Sequence, residues 1–210
     1  MNKSFISNSY FYGILFIVIF SFLLGFFQFS FVIAFLSGIL FWLFRKKVNF
    51  YTFNTRDKLN IFSPVCGEIK KIIKNESENV LIISVGFFDN YGVYLPNTSR
   101  VDNFEVKGGD QFFRYKIPND LLEFEKYRHI SIALRGKNGA VLKMEFYKNF
   151  LGKKLKSWLL PGDRGKQKAN MGFLPFGGTV LLYLPKNCEI LTNIGEKVIG
   201  GETLLAINNK

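Results

Sequence analysis

Residues 171–185 read Met-Gly-Phe-Leu-Pro-Phe-Gly-Gly-Thr-Val-Leu-Leu-Tyr-Leu-Pro. Within this stretch Val180–Leu184 is a run of strand-forming residues, closed by Pro185 and preceded by the pair Gly177-Gly178. Gly and Pro at those places punctuate a strand. Working outward, the same alternation of short β-type runs and turn signals recurs. Ile69–Ile73, Val80–Val85, Val93–Leu95, Ile130–Leu134, Ala140–Phe146 and Leu204–Ile207 are predicted strands. Gly67, Gly108-Gly109, Gly136, Asn138-Gly139 and Gly200-Gly201 separate them. One helical piece is predicted over Asn119–Tyr127, with Asn119 or Asp120 as its cap. No solenoid-like repeat or low-complexity tract is present. The segment from residue 48 to 210 is therefore predicted to be one mainly β (α+β) domain.

Residues 1–47 have a different character. No charge occurs between Lys3 and Arg45, and the runs Tyr10–Phe27 and Phe31–Phe44 are almost wholly apolar. A single helix through this window would far exceed a bilayer core of about 30 Å at about 1.5 Å per residue. The reading is two helices with a turn near Gln28, forming a transmembrane hairpin whose second arm is short for a full span. The apolar stretch is too long for a signal peptide, and no cleavage site is evident. Lys3 at one end and Arg45, Lys46 and Lys47 at the other place both ends, and the main domain, on the cytoplasmic side of an inner membrane of bacterial type. A hydrophobic oligomerisation hairpin is the other reading of the window.

The 210 residues carry 28 Lys and Arg against 16 Asp and Glu, a net charge of +12, which favours an anionic partner. Beside the apolar hairpin, phospholipid accounts for that charge more simply than nucleic acid, and no nucleic-acid partner is expected. The densest basic stretch holds Lys153, Lys154, Lys156 and Arg164 around Trp158, residue types suited to a headgroup interface. A solvated loop explains it equally well. Cys66 and Cys188 are the only cysteines and share no metal-ligand spacing, so neither a disulfide framework nor a metal site is implied. His129 is the one histidine and is read as a surface or partly buried strand residue. No P-loop is present.

The C-terminal third resembles the phosphatidylserine decarboxylases, most closely their short bacterial and archaeal type. The resemblance rests on Lys153-Lys154-Leu155, Trp158, Pro161-Gly162-Asp163-Arg164, Met171-Gly172-Phe173-Leu174-Pro175-Phe176-Gly177-Gly178-Thr179-Val180 and Leu182-Tyr183-Leu184-Pro185, with the tail Gly195–Ala206. Upstream, Ser63-Pro64-Val65-Cys66-Gly67 sits where the family has Ser-Pro-Ala-Asp-Gly, and Ile83–Arg100 resembles the region of its Asp-Val-His motif. The resemblance implies a β-rich, commonly dimeric decarboxylase domain and a pyruvoyl group made by self-cleavage at a serine. It also implies a His base, oriented by an Asp, that starts processing. In this chain Gly178 stands at the serine, Gly92 at the His and Cys66 at the Asp. A pyruvoyl group cannot form from Gly178, so no cofactor is expected.

Two functions remain open from these substitutions. One is a catalytically inactive homologue that binds phospholipid, phosphatidylserine among the candidates, and works as a homodimer or with an enzyme of phospholipid synthesis. The other is an active decarboxylase making phosphatidylethanolamine through an atypical group formed at Gly178/Thr179. A membrane-tethered scaffold with no lipid cleft is a third reading.

Overall fold

The computed structural model describes residues 4–45, 60–112, 117–118, 120–136, 139–149 and 151–208. The expectations resting on Lys3, Lys46, Lys47, Asn119 and Asn138 lie outside these residues. The chain divides into two compact units, Met1–Val48 and Asn49–Lys210.

The first unit is a helical hairpin of α1 (Asn8–Leu23) and α2 (Phe27–Leu43). Its arms are tied at the turn by a 2.7 Å hydroxyl–hydroxyl bond between Ser21 and Ser30, and at the open end by the Phe5 N–H to Phe44 O bond of 2.9 Å. The reversal falls at Gly25, which takes φ +81°, and not at Gln28, which lies inside α2. The left-handed conformation at Gly25 stops α1, and Gln28 is taken into the first turn of α2 between Phe27 and Phe29. Large apolar side chains are exposed around both helices, Phe16, Phe31 and Phe35 among them. At 16 and 17 residues the arms are about 24–26 Å long, short of a bilayer core of about 30 Å. Among the described residues no helix is long and apolar enough to cross a membrane, which corrects the expectation of a transmembrane hairpin.

The second unit is mainly β, as expected. Its strands are β1 (Asn60–Phe62), β2 (Gly67–Lys74), β3 (Glu78–Val85), β4 (Gly92–Tyr94), β5 (Ser99–Lys107), β6 (His129–Gly136) and β7 (Val141–Lys148). Then follow β8 (Lys156–Ser157), β9 (Arg164–Gly165), β10 (Asn170–Phe173), β11 (Gly178–Pro185), β12 (Cys188–Ile190), β13 (Lys197–Val198) and β14 (Leu204–Asn208). One eight-stranded antiparallel sheet has the order β13-β2-β3-β11-β7-β6-β5-β9, and two three-stranded sheets run β1-β14-β12 and β4-β10-β8.

The strands at the centre of the large sheet explain their own sequences. β3 and β11 are buried on both faces and read as near-continuous apolar runs. β11 pairs along its whole length with β3, from Gly178 opposite Val85 to Pro185 opposite Glu78, and along six residues with β7. One face of this centre, with Val80, Ile82, Leu181 and Tyr147, is covered by Phe112 and Phe124. Phe124 comes from α3 (Leu121–Phe124), whose cap is Asp120, its carboxylate accepting the Leu122 N–H at 3.2 Å. The helix is shorter than the predicted Asn119–Tyr127 because its C-terminal cap is already at Glu125, beyond which the chain runs into β6.

Candidate functional site

β11 begins at Gly178, and the turn before it is tightly held. The Gly177 N–H donates to Leu174 O at 3.1 Å, and the Leu174 N–H donates to Tyr91 O at 2.8 Å. Phe176 and Gly177 both take left-handed conformations, φ 62° and 75°. A side chain at 177 would run into the Val85 carbonyl oxygen, so the position requires glycine. Gly178 is equally enclosed, since it sits between Val85 of β3 and Lys148 of β7. A Cβ there would collide with the Tyr147 carbonyl oxygen and lie 2.8 Å from Leu174 Cδ2. The next residue, Thr179, lies opposite Ser84 and Tyr147 and is fully buried. Its hydroxyl has no hydrogen-bond partner among the described residues.

Cys66 and Gly92 are brought together near this turn. Val65 bridges Val93, and the Tyr94 N–H donates to Pro64 O at 2.8 Å, which sets the two segments side by side. Gly92 of β4 pairs with Phe173 of β10, and its N–H donates to the Asn90 Oδ1 at 2.9 Å. The space a side chain at 92 would need is filled by the Tyr94 ring: a Cβ would lie 2.6 Å from its hydroxyl oxygen and 2.9 Å from Cε2. The same ring packs on Gly200, whose N–H donates to Cys66 Sγ at 3.2 Å. Cys66 is thus a buried hydrogen-bond acceptor.

The basic stretch does not form one cluster. Lys153 and Lys154 are exposed beyond the end of β7, whereas Lys156 lies on β8 with Nζ 5.6 Å above the Phe173 ring. Trp158 is half exposed and donates its indole N–H to Asn170 Oδ1 at 3.0 Å. Arg164 is on β9, opposite Arg100 at the edge of the large sheet.

A buried polar network on β6, β7 and β11 has no counterpart in the sequence-based expectations. Glu145 is 4% exposed and accepts the Tyr147 hydroxyl at 2.8 Å, the Tyr183 hydroxyl at 2.9 Å and Lys143 Nζ at 2.7 Å. Burial alone would raise its pKa, but the three donors more than offset this and hold the carboxyl below the usual range. The same burial and the Glu145 charge push both tyrosines well above theirs. His129 belongs here too. It is 2% exposed, against the expected surface or partly buried place, because its ring packs 4.8 Å from that of Tyr147. Its Nδ1 lies 2.8 Å from Tyr127 O and its Nε2 3.8 Å from Glu145 Oε1. The one signal for this network was a glutamate between Met144 and Phe146, at a position where a strand buries apolar side chains.

A β-rich domain with this glycine turn at the head of its central strand has known relatives. The profile of the phosphatidylserine decarboxylase family matches residues 63–206, and the chain belongs to that family. It is 24% identical over 185 residues to the phosphatidylserine decarboxylase proenzyme of Parabacteroides distasonis, covering 83% of this chain and 81% of the relative. The proenzyme of Amoebophilus asiaticus is 25% identical over 161 residues (73% of this chain, 69% of the relative). That of Polynucleobacter asymbioticus is 28% identical over 151 residues (70% and 68%). No solved structure matches the chain.

Proposed function

We propose that this chain is a family member that does not process itself. It acts in phospholipid metabolism by binding phospholipid at a membrane surface, phosphatidylserine being the headgroup its family points to, alone as a homodimer or beside an enzyme of phospholipid synthesis. The observation that carries this reading is the closure of two positions at once. Gly178 lacks the hydroxyl from which a pyruvoyl group derives, and the Tyr147 carbonyl and Leu174 stand where a side chain would go. The residues present therefore do not fit the group. Tyr94 likewise occupies the space of a side chain at 92, where the family's base would project. Cys66, in place of the orienting carboxylate, accepts a backbone N–H.

The route through Thr179 is disfavoured on the same grounds. General-base activation needs an acceptor within hydrogen-bond reach of the nucleophile. The buried Thr179 hydroxyl has none among the described residues.

On this reading the N-terminal hairpin is a shallow anchor, its arms too short to span but apolar all round, and the main domain lies on the cytoplasmic side of the membrane. Lys153, Lys154, Lys156, Trp158 and Arg164 remain candidate headgroup contacts.

Intact-protein mass tests the proposal. A single chain of 24.2 kDa is expected from freshly purified protein. Two fragments meeting at residues 177–179, the second with a blocked, carbonyl-bearing N terminus, overturn it.

A further inference from the structure

The register of the large sheet gathers several loops at one of its ends. β3 finishes at Val85, β7 finishes at Lys148, and β11 starts between them at Gly178. β6 starts beside them at His129, opposite the last residue of β5, Lys107. The loops leaving this end carry large apolar side chains outward. Phe88 is 68% exposed and Leu151 72% exposed, and Phe87 stacks on Phe176 with ring centroids 5.8 Å apart. Cations stand beside them. Arg128, Lys148 and Lys154 converge on one small niche walled by Phe146 and Leu155. Among the described residues none of the three is in an ion pair with a carboxylate. The Asp89 carboxylate is engaged by the Gly86 N–H at 2.5 Å, and Asp110 meets Lys126 and Arg128 through its backbone.

We infer that this end of the sheet docks on an anionic phospholipid surface, Phe88 and Leu151 entering the boundary between headgroups and acyl chains while Arg128, Lys148 and Lys154 receive headgroup phosphates. This deepens the phospholipid-binding reading, on which it rests, by assigning the contact to a surface of which that reading uses only Lys154. Three mutually repelling cations held together without a counter-charge favour an anion from outside the chain. Exposed aromatic and aliphatic tips next to such a cluster match the interface of a bilayer, where apolar groups bury and basic groups meet phosphate. Single-stranded nucleic acid would be held by stacking on aromatic faces. Leu151 offers no such face, and the Phe87 ring is already stacked on Phe176. Among the described residues the opposite end of the same strands has a different character: it opens a cavity of about 690 Å³ between Glu78, Lys143, Tyr183 and Asn187. The consequence is directional. The Gly178 end of β11 faces lipid and the Pro185 end faces away.

The test uses the full chain, its two tryptophans replaced (Trp42→Phe, Trp158→Phe), with one new reporter: Phe88→Trp, or Val141→Trp at the far end of β7. Each protein is bound to vesicles of phosphatidylcholine, alone or in an equimolar mixture with phosphatidylglycerol, with brominated or ordinary acyl chains. The Phe88→Trp reporter should lose about half its emission to bromine in the anionic vesicles, from a depth of about 5–10 Å. The Val141→Trp reporter should lose none. Reversing the niche (Arg128→Glu, Lys148→Glu, Lys154→Glu) should abolish the quenching at 88 without lowering the melting temperature. Equal quenching at both reporters overturns the inference, as does quenching at 88 that survives the reversal. A reporter that answers to inorganic phosphate or to a single-stranded oligonucleotide but not to vesicles assigns the surface to those ligands instead and also overturns it. No quenching at 88 in a chain that still floats with the vesicles overturns the docking alone. A cleaved chain in the same sample, read by mass, overturns the earlier proposal alone.

Discussion

Gly178→Ser puts a hydroxyl where the chain has none, and the surrounding backbone sets the outcome. The new Cβ would collide with the Tyr147 carbonyl oxygen and press on Leu174 Cδ2 at 2.8 Å. The Tyr147 carbonyl belongs to β7, which pairs with β11 on one side and β6 on the other, so it cannot swing aside as a side-chain tip would. Relief requires β7 and β11 to part locally. Overpacking of this kind costs about 1–3 kcal/mol. For a domain of this size that is a fall in melting temperature of about 2–12 °C. On the proposed reading no imidazole would meet the hydroxyl, since the Tyr94 ring fills the space beside Gly92. Calorimetry and intact mass on one preparation read both effects. The expected result is a less stable protein that stays in one piece, heavier by one CH2O unit. A variant that splits between residues 177 and 178 would refute the reasoning, because a competent base must then be present. An unchanged melting temperature would refute the steric part.

The Tyr94 contact predicts non-additivity. Tyr94→Ala should cost about 3–5 kcal/mol as a buried-ring deletion, and Gly92→His should destabilise by displacing that ring. The double variant should be more stable than their sum by about 0.5–3 kcal/mol, read from urea midpoints, and strict additivity would show that the ring does not fill the site. Glu145→Ala leaves the Tyr147 and Tyr183 hydroxyls without their acceptor and should cost about 1–3 kcal/mol for each. Because the folded Glu145 carboxyl is held low, its contribution is fully present above the unfolded value of about 4.3 and is lost as pH falls through the lowered folded value. Glu145→Gln should therefore flatten the acid limb of the stability curve, and a curve parallel to that of the unaltered protein would disprove the link. Burial pushes the Cys188 thiol up to about 11, and Cys66 is buried as an acceptor. Neither should take up iodoacetamide at neutral pH before unfolding, and rapid labelling of Cys66 in the native protein would contradict its placement.

Seven strands, β2, β3, β6, β7 and β11 of the large sheet and β4 and β14 of the two small ones, were legible in the sequence, each from an apolar or β-branched run. β5 was not, although it is nine residues long, because Ser-Arg-Val-Asp-Asn-Phe-Glu-Val-Lys lies near the sheet edge with one face in solvent. A register shift between Val101 and Asn103 further breaks its alternation. The two-residue strands β8, β9 and β13 carry too few residues for any periodicity. At the candidate site, positions 66, 92 and 178 were singled out by the resemblance to the family's motifs. What filled the vacated volume was not. Tyr94 lies only two residues from Gly92, and nothing in its local pattern says its ring folds back over that glycine. The Glu145 network escaped for a similar reason: its members come from three strands joined only by the sheet.

The order of strands bears on how the chain reaches its folded state. β11 is the partner of both β3 and β7, yet it is the last of the three to leave the ribosome. Until residue 185 or so has emerged, β3 and β7 can only stand as two long, apolar, unpaired edges, the kind that recruit other chains. Closing the sheet then needs a segment some hundred positions downstream of β3 to thread between them, a slow event for a topology dominated by distant pairings. Truncations ahead of Gly178 should for this reason yield aggregates and not a smaller folded protein, and synthesis in the cell should lean on chaperones until the last quarter of the chain arrives.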